Sequence, residues 1–156
     1  MNVRIEDSFV LYLPDQAATE ALAQRLAPYL RAGDVVLLSG DIGAGKSSFA
    51  RAVVRTRLGA DTEVPSPTYT LVQIYDDDPT PIWHADLYRI QSETDVHELG
   101  LADVMDHAIC LIEWPERAAR LWPVTALHLA FAPKDDGRNV TVSGGSHLVA
   151  RIALHD

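Results

Sequence analysis

The stretch Val35-Val36-Leu37-Leu38-Ser39-Gly40-Asp41-Ile42-Gly43-Ala44-Gly45-Lys46-Ser47-Ser48-Phe49-Ala50 decides the fold. It contains the pattern G-x-x-x-x-G-K-[ST], whose defining residues are Gly40, Gly45, Lys46 and Ser47. An apolar run precedes the pattern and a helix-compatible run follows it. This order predicts a strand, a phosphate-binding loop and a helix, and therefore a site for a nucleoside triphosphate.

Each part of this loop has a physical role toward phosphate. Glycines let backbone N–H groups turn inward around phosphate oxygens without Cβ clashes, and the positive end of the following helix attracts the anion. Lys46 can reach the β- and γ-phosphates, and Ser47 can place its hydroxyl on Mg²⁺. The alternative is a Gly-rich turn that binds nothing, but the pattern arises by chance in under roughly 1% of chains of this length.

Composition and charge narrow the class of protein. The length of 156 residues predicts a single domain, residues 1–156, with a sizeable core. A net charge of −9 argues against a large basic nucleic-acid footprint, so any RNA contact is expected to be local or to go through a partner. The single cysteine, Cys110, excludes an internal disulfide. With no signal-like N-terminus and no membrane-spanning run, we expect a cytoplasmic protein without membrane contact.

Hydrophobic periodicity predicts the remaining elements. The predicted strands cover 9–13, 35–38, 70–75, 82–86, 108–112, 127–131, 138–142 and 148–154. The predicted helices cover 19–30, 47–58, 95–105 with a break at Gly100, and a short segment ending at Leu121. The continuous apolar run 108–112 suits a buried parallel strand, whereas 70–75 and 82–86 flank a polar turn and predict a hairpin. The fold class is therefore α/β, a three-layer domain of the P-loop NTPase type whose mixed sheet has a parallel centre and antiparallel additions.

Two acids follow apolar strands and are candidates for completing the Mg²⁺ shell or positioning water. Glu113 follows the run 108–112, and Asp86 ends the run that begins at Ile82. A parallel strand beside the central one delivers its carboxyl end next to the phosphates. The alternative for each is a solvated acid at a strand end. His84 and Asp86 also share a strand face as a metal pair would, but no third ligand has zinc spacing.

Of five other positions, four have both a functional and a structural interpretation, and the fifth has only a structural one. Asp41 either contacts the nucleotide or caps backbone groups. Ser66 and Thr68 lie on a segment stiffened by proline, which is either a switch that orders around the γ-phosphate and Mg²⁺ or an ordinary connector. Trp114 either packs in the core or stacks on a base or a partner. Cys110, in a buried strand, is expected to be inert packing.

Four motifs occur in register along the chain. They are Gly40-Asp41-Ile42-Gly43-Ala44-Gly45-Lys46-Ser47, Ser66-Pro67-Thr68-Tyr69, His84-Ala85-Asp86-Leu87-Tyr88-Arg89 and Ile112-Glu113-Trp114-Pro115-Glu116-Arg117. Together they resemble the TsaE family (formerly YjeE), bacterial P-loop ATPases of tRNA threonylcarbamoyladenosine synthesis, over about residues 8–131. One departure is Ser47, where the family usually has threonine; the hydroxyl remains, so Mg²⁺ binding is expected to survive. The tail beyond Pro133 carries no motif, and nothing there bears on the assignment.

The resemblance implies a function and a set of site residues. ATP and Mg²⁺ are expected at the loop, with the protein joining the TsaB–TsaD complex and hydrolysing ATP during modification of adenosine-37 in tRNAs reading ANN codons. Contact with tRNA would be indirect, through that complex. The loop pattern and the resemblance together predict these nucleotide-binding residues: Asp41, Gly43, Ala44, Gly45, Lys46, Ser47, Ser48, Thr68 and Trp114. The metal residues are Ser47, Asp86 and Glu113, and the catalytic residues are Glu113, Asp86 and Lys46.

Two other functions share the same loop. A P-loop small-molecule or nucleotide kinase would need an acceptor pocket and usually an Arg-bearing lid, and no Arg-rich lid lies between Ser47 and Glu113. A nucleotide-dependent assembly switch would bind ATP while hydrolysis is incidental. Since no arginine finger in cis is identifiable in the sequence, we expect slow hydrolysis by the isolated protein and faster hydrolysis with partners.

Overall fold

A seven-stranded mixed sheet forms the centre of the molecule, seen in a computed structural model that describes residues 8–67 and 70–153. The strands are β1 Phe9–Leu13, β2 Val35–Ser39, β3 Val72–Tyr75, β4 Ile82–Asp86, β5 Ile109–Glu113, β6 Leu127–Lys134 and β7 Gly137–Gly144. The helices are α1 Gln16–Leu26, α2 Lys46–Leu58, α3 Glu93–Glu98, α4 Leu101–Val104 and α5 Ser146–Ala153, with 3-10 turns at Ala27–Tyr29 and Pro115–Ala118. None of the helices in this described part is long and apolar enough to cross a membrane.

The strand order confirms the predicted mixed sheet. The order is β1-β7-β6-β2-β5-β4-β3. Neighbours among β6, β2, β5 and β4 are parallel, and β1, β7 and β3 add antiparallel strands at the two sides. Because β2, β5 and β4 are parallel neighbours, their carboxyl ends meet at one edge of the sheet.

Each face of the sheet carries its own hydrophobic core, which gives the three layers. Helices α1, α2 and α5 cover one face, where Phe49 and Leu111 are fully buried. Helices α3 and α4 cover the other face, where Cys110 and Ile112 are fully buried. Strand β5 therefore buries alternate side chains in two different cores, which is why its sequence is continuously apolar.

The predicted strand at 148–154 is wrong, because the structure places helix α5 there. Leu148 and Ile152 lie one helical turn apart and are both buried in the core that contains α1. Gly144 and Gly145, both at positive φ, end β7 and turn the chain. A further strand has no place beside β7, since β1 and β6 already pair with its two edges. Residues 154–156 lie outside the described part of the chain.

Helix α1 also differs from its prediction, beginning at Gln16 and not at 19. The side chain of Asp15 caps it by accepting a hydrogen bond from the backbone N–H of Ala18 at 2.9 Å. The chain then continues as a 3-10 turn with Pro28 in its first positions, because proline cannot continue the α-helical hydrogen-bond ladder.

The thiol of Cys110 is expected to be unreactive in the folded protein at pH 8. Its residue is fully buried, and burial raises the pKa of the thiol to about 12, so the reactive thiolate is almost absent. Labelling with a chromogenic disulfide reagent should be negligible in buffer and stoichiometric in denaturant. Rapid labelling without denaturant would contradict the buried position of β5.

Candidate nucleotide-binding site

The loop of residues 40–45 joins the carboxyl end of β2 to the first residue of α2, as its pattern predicts. Gly40 and Gly45 have φ angles of +136° and +116°, a region that side chains rarely adopt. A Cβ on Gly40 would also lie 2.5 Å from the carbonyl oxygen of Phe131 on β6. Glycine is therefore required at Gly40 for two reasons, its backbone angle and its contact with the neighbouring strand.

Lys46 folds back onto this loop. Its ammonium group donates a hydrogen bond to the carbonyl of Gly40 and lies 3.5 Å from the centroid of the Trp114 ring. The residue is only 4% exposed. Burial lowers the pKa of the Lys46 amine, and the nearby carboxylates of Glu113 and Asp86 oppose this effect. A cation is thus held at the base of the loop by a carbonyl and an aromatic ring.

The two candidate acids lie side by side at the carboxyl ends of adjacent strands. Asp86 on β4 is the register partner of Glu113 on β5, and they are 5% and 1% exposed. Ser47 donates a hydrogen bond from Oγ to Oε1 of Glu113 at 2.8 Å. Oδ1 of Asp86 accepts a hydrogen bond from the backbone N–H of Tyr88 at 2.9 Å. Neither acid is therefore a solvated residue at a strand end.

His84 holds the other oxygen of Glu113. Its Nε2 lies 2.7 Å from Oε2 of Glu113, and both side chains are 2% exposed. Its Nδ1 is buried and has no hydrogen-bond partner among the described residues. Burial by itself would raise the pKa of Glu113, but the contacts with His84 and Ser47 and the charge of Lys46 together hold that pKa below its usual value. Glu113 is therefore a carboxylate at neutral pH, oriented at both oxygens.

The donor set suits Mg²⁺ that arrives with a phosphate group. Within residues 8–67 and 70–153, no cluster of three or more His, Cys, Asp and Glu side chains could hold a metal by itself. The pairing of His84 and Asp86 as metal ligands therefore has no support, and His84 contacts Glu113 instead. Mg²⁺ usually takes one or two carboxylates, several waters and phosphate oxygens. The oxygens of Ser47, Asp86 and Glu113 beside a phosphate loop fit that preference.

Trp114 packs in the core, which is one of its two interpretations, and it also contacts two side chains at the cleft. The residue has φ +59°, and its backbone N–H donates to the carbonyl of Leu38 at 3.2 Å. It packs against the core under α3 and α4, and its ring also lies 4.9 Å from the ring of Tyr88 and over the amine of Lys46. Trp114 therefore connects the base of the loop to Tyr88, which is 41% exposed at the rim.

These side chains line one cleft of about 360 Å³. The predicted residues that line it are Gly43, Gly45, Lys46, Ser47, Ser48, Asp86, Glu113 and Trp114. Ala44 is instead buried in the core, and its N–H donates to the carbonyl of the exposed Asp41. Thr68 lies outside the described residues.

Four residues that line the cleft were not predicted. They are Gln16, Ile42, Tyr88 and Arg138. Tyr88 belongs to a motif already noted and Ile42 to the loop, so both could have been found. Arg138 lies on β7, beyond Pro133, in the part of the chain that carries no motif. No local signal in the sequence marks it, since only the strand order brings it to the loop.

Comparison with known proteins identifies the family. The family described as "Threonylcarbamoyl adenosine biosynthesis protein TsaE" matches residues 13–140. TsaE of Rickettsia felis is 40% identical over 144 residues, which covers 90% of this chain and 84% of that protein. TsaE of Haemophilus influenzae is 31% identical over 152 residues, 94% of this chain and 96% of that protein. A crystal structure of Bacillus subtilis YdiB has a TM-score of 0.77 at 25% identity and covers 100% of this chain and 99% of its own. Because these similarities extend along nearly the whole chain, it belongs to the TsaE family of threonylcarbamoyl adenosine biosynthesis proteins.

Proposed function

We propose that this protein binds ATP and Mg²⁺ in the cleft and hydrolyses the ATP as a component of threonylcarbamoyladenosine synthesis. Its partners would be TsaB and TsaD, and its cycle would support modification of adenosine-37 in tRNAs reading ANN codons. The observation that carries the proposal is the position of Glu113, a buried carboxylate held by Ser47 at 2.8 Å and by His84 at 2.7 Å beside the phosphate loop. The family supports the pathway, and this geometry supports hydrolysis.

Each residue has a role in an in-line displacement. The loop amides, the N-terminus of α2 and the Lys46 amine bind and neutralise the phosphates. Ser47 and one acid, Asp86 or Glu113, would hold Mg²⁺, which would supply positive charge to the phosphates. The other acid orients a water whose oxygen bonds to the γ-phosphorus while the bond to the β–γ bridging oxygen breaks. ADP leaves, and the proton of the water passes to a carboxylate or to the released phosphate.

The contacts of Lys46 provide a route by which nucleotide binding would change the protein surface. Its amine rests against Gly40 and the ring of Trp114, contacts that phosphate oxygens can replace. Trp114 packs in turn against Tyr88 at the exposed rim. Binding of ATP would therefore change the surroundings of Tyr88, an exposed aromatic residue that a partner protein can contact.

The proposal is tested by measuring the release of phosphate from ATP. The assay is run with the purified chain alone, with the chain plus TsaB and TsaD, and with both partners plus the Lys46→Ala variant. We expect slow release alone, faster release with both partners and almost none from the variant. Equal rates with and without partners would contradict the partner-dependent cycle. Transfer of phosphate to an acceptor molecule, with little stimulation by partners, would identify a kinase. Repeated tRNA modification with a non-hydrolysable ATP analogue would identify an assembly switch.

A further inference from the structure

We propose that Arg138 binds the α- and β-phosphate oxygens of the nucleotide, on the side of the loop opposite the two acids. The inference rests on the proposed nucleotide site and adds a residue from the C-terminal part of the chain. Arg138 would thus contribute to binding nucleoside di- and triphosphates alike and would not act as an arginine finger on the γ-phosphate.

The contact between Arg138 and the loop is close. A Cβ on Gly45 would lie 2.5 Å from Nη1 of Arg138 and 3.2 Å from its Cδ. The guanidinium therefore rests on the backbone of the last loop glycine, directly before Lys46. Arg138 lines the same cleft as Lys46 and Ser47. The missing side chain of Gly45 leaves the space that the arginine occupies.

The guanidinium of Arg138 has hydrogen-bond donors available for a ligand. It carries five N–H donors in a planar fork that matches the oxygens of a phosphate group. Among the described residues, no carboxylate forms an ion pair with it and no group accepts a hydrogen bond from it. The chain has a net charge of −9, so acidic partners for an arginine are abundant. An arginine with no such partner within residues 8–67 and 70–153, beside a phosphate loop, is suited to an anionic ligand.

The strand order decides which phosphate it reaches. Strand β2 enters the loop, the acids lie on β5 and β4 to one side of it, and β6 and β7 lie on the other side. Strands β7 and β5 are three strand spacings apart, roughly 14 Å. The γ-phosphate and Mg²⁺ belong on the side of Ser47, Asp86 and Glu113. Arg138 approaches the loop from the opposite side, so it would contact the α- and β-phosphates and not the γ-phosphate.

Calorimetric titration with Mg²⁺–ATP and with Mg²⁺–ADP tests this assignment. We expect Arg138→Ala to weaken the binding of both nucleotides by a similar factor, about 10- to 100-fold, because a charge-assisted contact is lost from each. Arg138→Lys should lose less, since it keeps the charge but not the fork. Arg31→Ala is the matched control. It removes the same charge from an exposed residue at the opposite end of β2 and should bind both nucleotides normally.

The outcomes separate this inference from the proposed function. Unchanged affinity of Arg138→Ala for both nucleotides, with normal binding by the native chain, would overturn the role of Arg138 alone. A loss confined to ATP would place the contact on the γ-phosphate and would also overturn the assignment. No binding of either nucleotide by the native chain would overturn the nucleotide site and this inference with it. If thermal unfolding shows that Arg138→Ala is not folded, Arg138→Gln decides the same comparison.

Discussion

Replacing Lys46 with alanine is expected to weaken ATP binding by about 100-fold or more. The side chain is 4% exposed, and its amine lies at the base of the loop between the carbonyl of Gly40 and the ring of Trp114. Charge-assisted hydrogen bonds contribute about 1.5–3 kcal/mol each, and a lysine at this position can contact both the β- and the γ-phosphate. Calorimetric titration of the purified variant with Mg²⁺–ATP measures the loss.

The chain provides a matched control for this variant, because its other lysine is Lys134. Lys134 is exposed at the end of β6 and does not line the cleft. Lys134→Ala removes the same charge from the protein and is expected to bind ATP as the native chain does. If Lys46→Ala also binds ATP with native affinity, the assignment of the loop as the phosphate site is wrong.

Glu113→Gln is expected to reduce turnover by roughly 10²- to 10³-fold while changing ATP affinity far less. The substitution keeps the shape of the side chain, and the amide oxygen can still accept the hydrogen bond from Ser47. The negative charge that would orient the water or hold Mg²⁺ is lost. His84 can keep its contact by accepting a hydrogen bond from the new amide, so the local packing should survive.

Phosphate release with partners present, together with calorimetric titration of ATP, measures these two effects separately. Glu98→Gln is a suitable control, because it removes one acidic charge from an exposed residue at the end of α3. Abolished ATP binding by Glu113→Gln, with normal cleavage of whatever ATP is bound, would show that the role of Glu113 is misassigned.

The same assay separates the roles of the two acids when the concentration of Mg²⁺ is varied. A variant of the metal-holding acid should need more Mg²⁺ for half-maximal turnover and should recover part of its rate at saturation. A variant of the water-orienting acid should stay slow at every Mg²⁺ concentration. Comparing Asp86→Asn with Glu113→Gln therefore assigns each acid.

The elements that the sequence predicts well are those whose signals are local. The loop and the start of α2 can be predicted from neighbouring residues in the sequence. Gly40 and Gly45 have positive φ angles, which glycine adopts readily because it has no Cβ. Strand β5 follows from its continuous apolar run. The strand-end rule also places Asp86 and Glu113 together, since parallel neighbours in a sheet end at the same edge.

Other features depend on contacts between distant segments. The partnership of His84 with Glu113 requires the register of β4 on β5, in which Ala85 pairs with Ile112 and Asp86 with Glu113. Residues 148–153 are almost all apolar, which is compatible with a strand, and they form a helix because β1 already occupies the other edge of β7. In both cases a local pattern permits more than one structure, and packing selects one.

The sequence by itself determined the phosphate loop, the mixed α/β fold and the two acids at the strand ends. It did so because each depends on spacing or periodicity within a short segment. Only the tertiary structure decided that His84 orients Glu113, that Lys46 rests on Trp114 and that Arg138 reaches Gly45. Those contacts join segments far apart in the chain, and the order and register of the sheet bring them together.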